Sequence, residues 1–330
     1  MAPGGLRAPG VVAMGGGHGL AASLSALRHM SPRLTGVVTV ADNGGSSGRL
    51  RAELGVLPPG DLRQALAALC GDDDWGRTWA SVLQHRFTSG GDLHDHAVGN
   101  LLIVALWDLL DTQPPHGTGA HVAGLDWVGR LLGARGRVLP MSAVALDVTA
   151  RVRGADPARP DEVSSVRGQV EVASTLGRVE SVALDPPDPP ACPEAVTAVQ
   201  EADWVVVGPG SWYTSVLPNL LVPQLAGALE ETSARRLLTV NLAPQVGETD
   251  GLSAAQHLDV LAEHAPGLRL DAVLVDPTTL DTPDSRRGLD AAARRFGADV
   301  VVADVAARDR GPRHDVLRLA AAYLDIMGLS

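Results

Sequence analysis

Two short apolar segments of this sequence run directly into glycine-rich turns, and each turn is followed by a helical segment. The first segment, residues 11–14, leads into Gly15, Gly16, Gly17, His18 and Gly19. Residues 20–30 then carry apolar side chains at helical spacing, and residues 34–40 are rich in β-branched side chains. This order of strand, turn, helix and strand predicts the first unit of a doubly wound parallel sheet.

The second half of the chain repeats the alternation of strands and helices. Buried strands are predicted at residues 204–207, 237–240, 272–275 and 300–303, and a final helix at residues 315–327. Helices are also predicted at residues 61–69 and 99–111, beyond a polar, glycine-rich stretch at residues 41–60. The sequence therefore predicts an α/β fold with a mostly parallel sheet.

The middle of the chain has a different pattern. Residues 144–152, 168–172 and 178–184 alternate in the manner of strands, which predicts a small antiparallel insertion. Residues 185–193 contain five prolines and are expected to form a loop. We expect one domain over residues 1–330, with a first α/β half at 10–140, the insertion at 141–190 and a second half at 191–330.

Charge and residue usage exclude several classes of function. The chain of 330 residues has a net charge of −11, which makes nucleic acid an unfavourable partner. All 27 residues counted as lysine or arginine are arginine. A Walker P-loop and Schiff-base chemistry both need a lysine and are therefore excluded. Phosphate would be bound by arginine, backbone N–H groups and helix N-termini.

Cysteine content and hydropathy predict a cytoplasmic protein. Cys70 and Cys192 are the only cysteines and lie far apart, so a disulfide framework is not expected. No apolar run approaches the roughly 20 residues that a membrane span needs. The first ten residues lack the apolar core of a secretory signal.

The first turn and the segment after the second predicted strand are candidate phosphate and sugar contacts. Glycines in the first turn let a ligand approach the backbone, and the following helix offers N–H donors. The second segment supplies Asp42, Asn43, Gly44, Gly45, Ser46, Ser47 and Arg49. Asp42 stands where a Rossmann acid contacts a ribose hydroxyl, and Arg49 could hold phosphate oxygens. The alternatives are a tight turn without a ligand and a flexible surface loop.

Two predicted helices begin with polar side chains that suit either a ligand or a helix cap. Asp61 is a plausible N-cap, whereas Arg63 in the same turn opposes the helix dipole and is better explained by a ligand or a buried acid. Asn100 points into a cleft or caps its helix. His94 and His96 have the spacing of a metal pair, but no third ligand can be assigned, so no metal site is predicted.

A second anion site is predicted after residues 204–207. Gly208 and Gly210 leave room for a ligand, and Ser211, Tyr213 and Thr214 add hydroxyls. Further candidates are Asn241, just past a strand, and Arg313, ahead of the last helix. Asp250 and Asp315 either orient a ligand or cap helices. No Ser-His-Asp order or paired-carboxylate spacing identifies a catalytic residue, which leaves catalysis unassigned.

Taken together and in order, these segments resemble the YvcK-like branch of the CofD-related family, the gluconeogenesis factors. The resemblance covers nearly the whole chain and is carried by residues 15–20, 38–51, 58–63, 97–102, 138–142, 208–222 and 241–253. It implies a Rossmann-like three-layer α/β/α fold in the cytoplasm. It also implies binding of UDP-sugars, especially UDP-N-acetylglucosamine, and a role in cell shape and peptidoglycan synthesis during growth on gluconeogenic carbon sources.

The related CofD branch implies an alternative function. Its members transfer a phospholactyl group from a guanosine diphosphate donor with magnesium, so a transferase using a nucleotide-diphosphate-linked donor is the second hypothesis. An NAD-binding protein and a ligand-stabilised scaffold are the third and fourth. Homo-oligomers and regulatory partners in cell-wall synthesis are further expectations.

The sequence departs from the family at two site positions. His18 stands where members have threonine, which removes a hydroxyl that could contact phosphate. Asn43 replaces a second aspartate, which weakens a magnesium site of the transferase type. We therefore expect a diphosphate across the Gly15 and Gly208 turns, with no firmly assigned cofactor.

Overall fold

The computed structural model describes residues 7–112, 119–245, 247–280, 282–308 and 311–329. Its central sheet has seven strands in the order β10-β9-β8-β7-β1-β2-β3, and every neighbouring pair is parallel. The strands are β1 (Val11–Gly15), β2 (Leu34–Val38), β3 (Arg137–Pro140), β7 (Trp204–Val207), β8 (Arg235–Thr239), β9 (Ala272–Val275) and β10 (Asp299–Val302). From the middle of the sheet, β1, β2 and β3 follow one another towards one edge, and β7, β8, β9 and β10 follow one another towards the other edge. The order therefore reverses between β1 and β7.

Helices cover both faces of this sheet. They are α1 (Gly17–Leu27), α2 (Gly45–Leu54), α3 (Gly60–Ala68), α4 (Asp74–Gln84), α5 (Val98–Asp111), α6 (Ala120–Leu132), α8 (Pro193–Gln200), α9 (Leu217–Leu220), α10 (Pro223–Glu231), α11 (Ala254–His264), α12 (Pro283–Arg295) and α13 (Val316–Met327). Helix α1 packs against α3 and α13, whereas α8 packs against α10. The central strands are apolar on both faces because helices cover both, and β1, β7 and β9 are buried throughout.

A separate antiparallel sheet lies in the middle of the chain. It consists of β4 (Asp147–Arg153), β5 (Val163–Arg167) and β6 (Arg178–Asp185), in the order β5-β4-β6. The short helix α7 (Gln169–Ala173) follows β5. The expected three-layer α/β fold with a small antiparallel insertion is confirmed.

Several local predictions were wrong or incomplete. The alternating residues 168–172 form the start of α7 rather than a strand, because Gly168 takes a positive φ and ends the extended chain after β5. Helix α2 lies inside the polar stretch 41–60, where no helix was expected. Strand β3 and helices α4 and α6 were also not predicted. Among the described residues, no helix is long and apolar enough to cross a membrane.

Candidate functional site

The glycine turns after β1 and β7 lie against each other where the strand order reverses. A Cβ atom on Gly19 would collide with the carbonyl oxygen of Pro209 and lie 2.6 Å from the Cα of Gly210. Both turns follow the carboxyl ends of neighbouring strands. In open α/β sheets, such a reversal is where a ligand crevice forms. The two predicted phosphate turns therefore form one crevice.

Asp61 and Ser215 close the crevice around the first turn. A Cβ atom on Gly16 would collide with Asp61 Oδ2 and lie 3.1 Å from Ser215 Oγ. The residue at position 16 must be small because helix α3 and the turn after β7 both reach it. Side chains from two different elements therefore converge on one glycine.

A buried polar network that the sequence analysis missed supports the floor of the crevice. Thr39 donates its hydroxyl to the carbonyl oxygens of Gly15 and Ser215, at 3.1 and 2.8 Å. Asn219 donates from Nδ2 to Thr39 Oγ1 at 2.8 Å and to the carbonyl oxygen of Ser215 at 2.9 Å. This network fixes the two turns relative to each other. Residues so far apart in the sequence gave no local signal of it.

Asp42 and Ser47 lie beside the start of α3. Asp42 Oδ1 accepts a hydrogen bond from the Gly44 N–H at 2.9 Å. A Cβ atom on Gly60 would lie 2.7 Å from Asp42 Oδ2 and would collide with Ser47 Oγ. Ser47 Oγ is buried and has no hydrogen-bond partner among the described residues. A buried hydroxyl without a partner is costly, and a ligand acceptor or donor would relieve that cost.

Asp61 lies against Gly16 of the first turn and does not cap its helix. The N-cap position of α3 is Pro59, with no side-chain cap. The Asp61 side chain is buried, and its Oδ2 has no hydrogen-bond partner in the described part of the chain. Burial, with a further contribution from the Asp42 charge, raises the pKa of Asp61 from 3.8 to about 7. The carboxyl group therefore exchanges its proton near neutral pH.

Arg63, Asn100, Ser46 and His96 form a buried relay between three helices. Arg63 donates from Nε to Asn100 Oδ1 at 2.9 Å, and Asn100 donates from Nδ2 to Ser46 Oγ at 3.0 Å. Ser46 Oγ also lies 3.0 Å from His96 Nδ1. Burial lowers the pKa of Arg63 to about 10, which keeps the guanidinium charged at neutral pH, and lowers the pKa of His96. The relay occupies the hydroxyl of Ser46 that was expected to contact a ligand.

Asn100 does not cap its helix, and His94 takes part in a hydrogen bond within its own loop. The N-cap position of α5 is Ala97, without a side-chain cap. Nδ1 of His94 accepts a hydrogen bond from the Ser89 N–H at 3.3 Å. Over the described ranges, no group of three or more histidine, cysteine, aspartate or glutamate residues is arranged to hold a metal ion.

Two predicted ligand contacts make hydrogen bonds away from the glycine turns. Arg49 donates to the carbonyl oxygens of Asp92 and His94, at 3.2 and 2.7 Å. Asn43 donates from Nδ2 to Glu171 Oε2 at 2.8 Å and accepts from the Val170 N–H at 3.0 Å. Arg49 thus holds a surface loop, and Asn43 joins the segment after β2 to helix α7. Their roles in ligand binding stay predictions.

The second predicted anion site holds a carboxylate of the chain itself. Glu248 accepts a hydrogen bond from the Tyr213 N–H at 3.1 Å and from Thr214 Oγ1 at 2.7 Å. Gln245 donates to Ser211 Oγ at 3.2 Å. Burial raises the pKa of Glu248. The sequence analysis did not identify Glu248 as a partner of these groups, and ligand binding at this turn stays a prediction.

Asn241 and the two late aspartates have mainly structural contacts. The side-chain amide of Asn241 accepts from the Gly210 N–H at 2.9 Å and donates to the Gly210 carbonyl oxygen at 2.8 Å, which fixes the turn. Asp315 caps α13, as one alternative predicted. Asp250 accepts from the Gly247 N–H at 2.9 Å, and the next helix is capped by Ser253.

A cleft of about 750 Å³ opens beside the two turns. His18, Gly19 and Gly210 lie at one side of it, and Arg313 lies on its rim. Alanines of α1, α3 and α4 contribute to its lining, together with the amides of Gln64, Gln84, Asn241 and Gln245. Small apolar residues with a few amides form a surface that suits a base or an acetylated sugar.

A larger groove, of about 1200 Å³, lies between the small sheet and α11. Its lining includes Glu180, Glu248, Asp259 and Glu263. These carboxylates would repel a phosphate, so the smaller cleft is the better candidate for a nucleotide.

Comparison with known proteins identifies similar sequences along nearly the whole chain. The family model described as "2-phospho-L-lactate transferase CofD" matches residues 11–311. A "Putative gluconeogenesis factor" of Mycobacterium tuberculosis is 52% identical, over 94% of this chain and 88% of its own length. A "Gluconeogenesis factor" of Bacillus subtilis is 32% identical, over 97% of this chain and 98% of its own length.

A solved structure has the same fold. A protein of the UPF0052 family from Bacillus halodurans superposes with a TM-score of 0.81 at 32% sequence identity. The match covers 97% of this chain and 100% of that one.

Proposed function

The chain belongs to the CofD family and groups with its gluconeogenesis factors, and we propose that it is a regulatory protein that binds a UDP-sugar such as UDP-N-acetylglucosamine. The diphosphate would lie across the Gly15–Gly19 and Gly208–Gly210 turns. The cleft beside them would take the group attached to the diphosphate. The cellular role proposed with this binding is the control of cell shape and peptidoglycan synthesis during growth on gluconeogenic carbon sources.

The contact between the two glycine turns carries this proposal. They meet so closely that a Cβ on Gly19 would lie 2.6 Å from the Cα of Gly210. Helix α1 begins at Gly17, so the N–H groups of its first turn and the positive end of its dipole lie at the same crevice. A diphosphate is a compact dianion that such donors stabilise without a lysine.

Arg63 is the best counter-charge for the diphosphate. In the described part of the chain, its hydrogen bond runs from Nε to Asn100, which leaves the terminal nitrogens for a ligand. The buried guanidinium also interacts with the charges of Asp42 and Asp61 at the crevice. Planar guanidinium groups suit phosphate oxygens because they donate two parallel hydrogen bonds.

Calorimetric titration with UDP-N-acetylglucosamine tests the proposal. We expect a single binding event and a rise in the thermal unfolding midpoint, because a ligand that binds only the native state stabilises it. Gly16→Ala should weaken binding at least tenfold, because the added methyl group would collide with Asp61 Oδ2 inside the crevice. Gly16 has an extended backbone, which alanine also adopts, so the fold should survive.

Gly90→Ala is the matched control, because a Cβ there meets no atom within 4 Å. Its affinity should equal that of the parent protein. A parent protein that shows neither heat nor thermal stabilisation at millimolar ligand contradicts the proposal.

A transferase that uses a nucleotide-diphosphate-linked donor is the second candidate. It is favoured by the family model, which carries the description of a transferase and matches residues 11–311. This candidate predicts that the donor is consumed in the presence of magnesium and an acceptor. A donor that stays intact with a broad panel of acceptors counts against it. Competition between NAD and the UDP-sugar separates both candidates from a dinucleotide-binding protein.

A further inference from the structure

Asp61 is a buried acid whose unpartnered oxygen lies against the first glycine turn of the proposed ligand crevice. Its side chain is 7% exposed, and Oδ2 has no hydrogen-bond partner among the described residues. The same atom occupies the space that a Cβ of Gly16 would need, so it lies directly against the first glycine turn. A diphosphate on that turn would therefore come close to Oδ2.

A second carboxylate, an arginine and a backbone N–H set the charge around Asp61. Asp42, from the segment after β2, adds a second negative charge, whereas Arg63 on the same helix and the Gly17 N–H favour the ionised form. Ser47 of α2 and Ser215 of the turn after β7 are uncharged, and His18 is an exposed neighbour on the first turn. Two carboxylates and a diphosphate in one buried space repel each other strongly, because the local dielectric is low.

We propose that Asp61 is a positioning residue that meets the diphosphate as a neutral carboxylic acid, with Oδ2 carrying the proton and donating a hydrogen bond to a phosphate oxygen. The proton comes from solvent, so ligand binding takes up a proton when Asp61 is ionised beforehand. This inference rests on the proposed function and adds the protonation state in which the site binds its ligand.

The titration behaviour of the free protein supports this assignment. Burial is the main cause that brings the pKa of Asp61 to about 7, so both forms are populated near neutral pH. A bound diphosphate adds negative charge beside the carboxyl group and raises its pKa further. By linkage, the affinity must then fall as the pH rises above about 7. The two phosphates of a nucleotide sugar each keep one charge over this range and do not titrate themselves.

The test is calorimetric titration of the full-length protein with UDP-N-acetylglucosamine between about pH 6 and pH 9, in chelator-treated buffers of different ionisation enthalpy. The parent protein should lose affinity about tenfold per pH unit above its free-state pKa and take up protons. Asp61→Asn keeps a donor and removes the charge. At every pH in this range, the Asp61→Asn variant should bind with the affinity that the parent has at the acidic end of the range. Its binding should take up no protons.

Two comparisons make the result decisive. Asp74→Asn removes an exposed carboxylate at the start of α4 and should keep the pH dependence of the parent. His18→Asn should also keep it, which excludes the exposed histidine as the titrating group.

An unchanged pH dependence in Asp61→Asn overturns the proposal. So does binding that releases protons, or binding that needs magnesium and strengthens with rising pH. Absence of parent binding at every pH instead contradicts the proposed function itself, and with it this inference.

Discussion

Arg63 is a buried positive charge beside two carboxylates, and its environment differs from that of Arg49, another candidate arginine. The side chain of Arg63 is 3% exposed and is anchored by Asn100, whereas Arg49 is exposed and bonds the carbonyl oxygens of a surface loop. Anchoring through Nε orients the rest of the guanidinium. An orientation fixed in advance makes each hydrogen bond to a phosphate more favourable.

Arg63→Lys should weaken UDP-N-acetylglucosamine binding by about 10- to 100-fold, because an ammonium group lacks the planar fork that bonds Asn100 and presents two parallel donors to phosphate oxygens. Arg49→Lys should change the affinity by less than about threefold, since its contacts are exposed. Calorimetry on both variants checks this pair. Equal losses at the two positions would contradict the assignment.

Asp61 should also make the stability of the ligand-free protein depend on pH. Its pKa is about 7 in the folded protein and 3.8 in its ordinary state, so the folded state holds a proton that the unfolded chain releases. The contribution of Asp61 to the free energy of unfolding is fully present below about pH 4 and is lost as the pH rises through 7. The free-energy difference is of the order of 4 kcal/mol, because one pKa unit corresponds to about 1.4 kcal/mol.

Asp61→Asn, which does not titrate, should therefore gain stability relative to the parent as the pH rises from about 5 to about 8. Denaturant unfolding at both pH values measures the change. A constant difference between the two proteins across this interval would show that the carboxyl group does not hold a proton there.

The sequence could identify Asp61 and Asn100 as polar residues at helix starts. It could not decide whether their side chains cap the helix or point towards a ligand. Side-chain capping and ligand contact use the same residue types at the same positions. The structure excludes capping for both, because the N-cap residues are Pro59 and Ala97 without side-chain caps. The relay from Arg63 to His96 depends on three helices that meet only in the folded chain, and no local pattern encodes such a meeting.

At the level of elements, helices α6 and α10 differ in how tightly they pack at their glycines. Gly124 lies in α6, and a Cβ there would lie 2.6 Å from Cδ1 of Trp107, whose indole N–H donates to the His121 carbonyl oxygen at 2.9 Å. Gly227 lies in α10, and a Cβ there meets no atom within 4 Å. The first glycine is needed for packing, whereas the second only weakens its helix.

Gly124→Ala should destabilise the protein by about 1 to 3 kcal/mol, because it overpacks the α5–α6 contact. Gly227→Ala should stabilise it by about 0.5 to 1 kcal/mol, because alanine loses less backbone entropy in a helix. Denaturant unfolding of both variants checks the prediction. A destabilised Gly227→Ala protein would be inconsistent with open space at that position.

Two of the helices that the sequence analysis missed, α2 and α7, lack a clear helical pattern. Helix α2 contains Gly45, Ser46, Ser47 and Gly48, which have low helix propensity, and it is stabilised by packing and by the relay through Ser46. Helix α7 has only five residues, too few for a helical period to be seen. By contrast, β7 and β9 were predicted at their exact bounds because they are continuous apolar runs.

For the whole molecule, the sheet order is what unites the separate motifs. Residues 15–19 and 208–210 are nearly two hundred residues apart in the sequence, yet they become neighbours because β1 pairs with β7 in parallel. The order of strands and glycine turns predicted such a crevice. The pairing of β1 with β7, the network through Thr39 and the occupation of the second anion site by Glu248 required the folded structure.

The most direct test of the account is a crystal structure of the protein with UDP-N-acetylglucosamine. We predict that the diphosphate lies against both glycine turns, within hydrogen-bond distance of backbone N–H groups in the Gly15–Gly19 turn, with Arg63 and Asp61 Oδ2 beside it. Density for the diphosphate in the acidic groove beside α11, or an empty crevice at saturating ligand, would contradict the account.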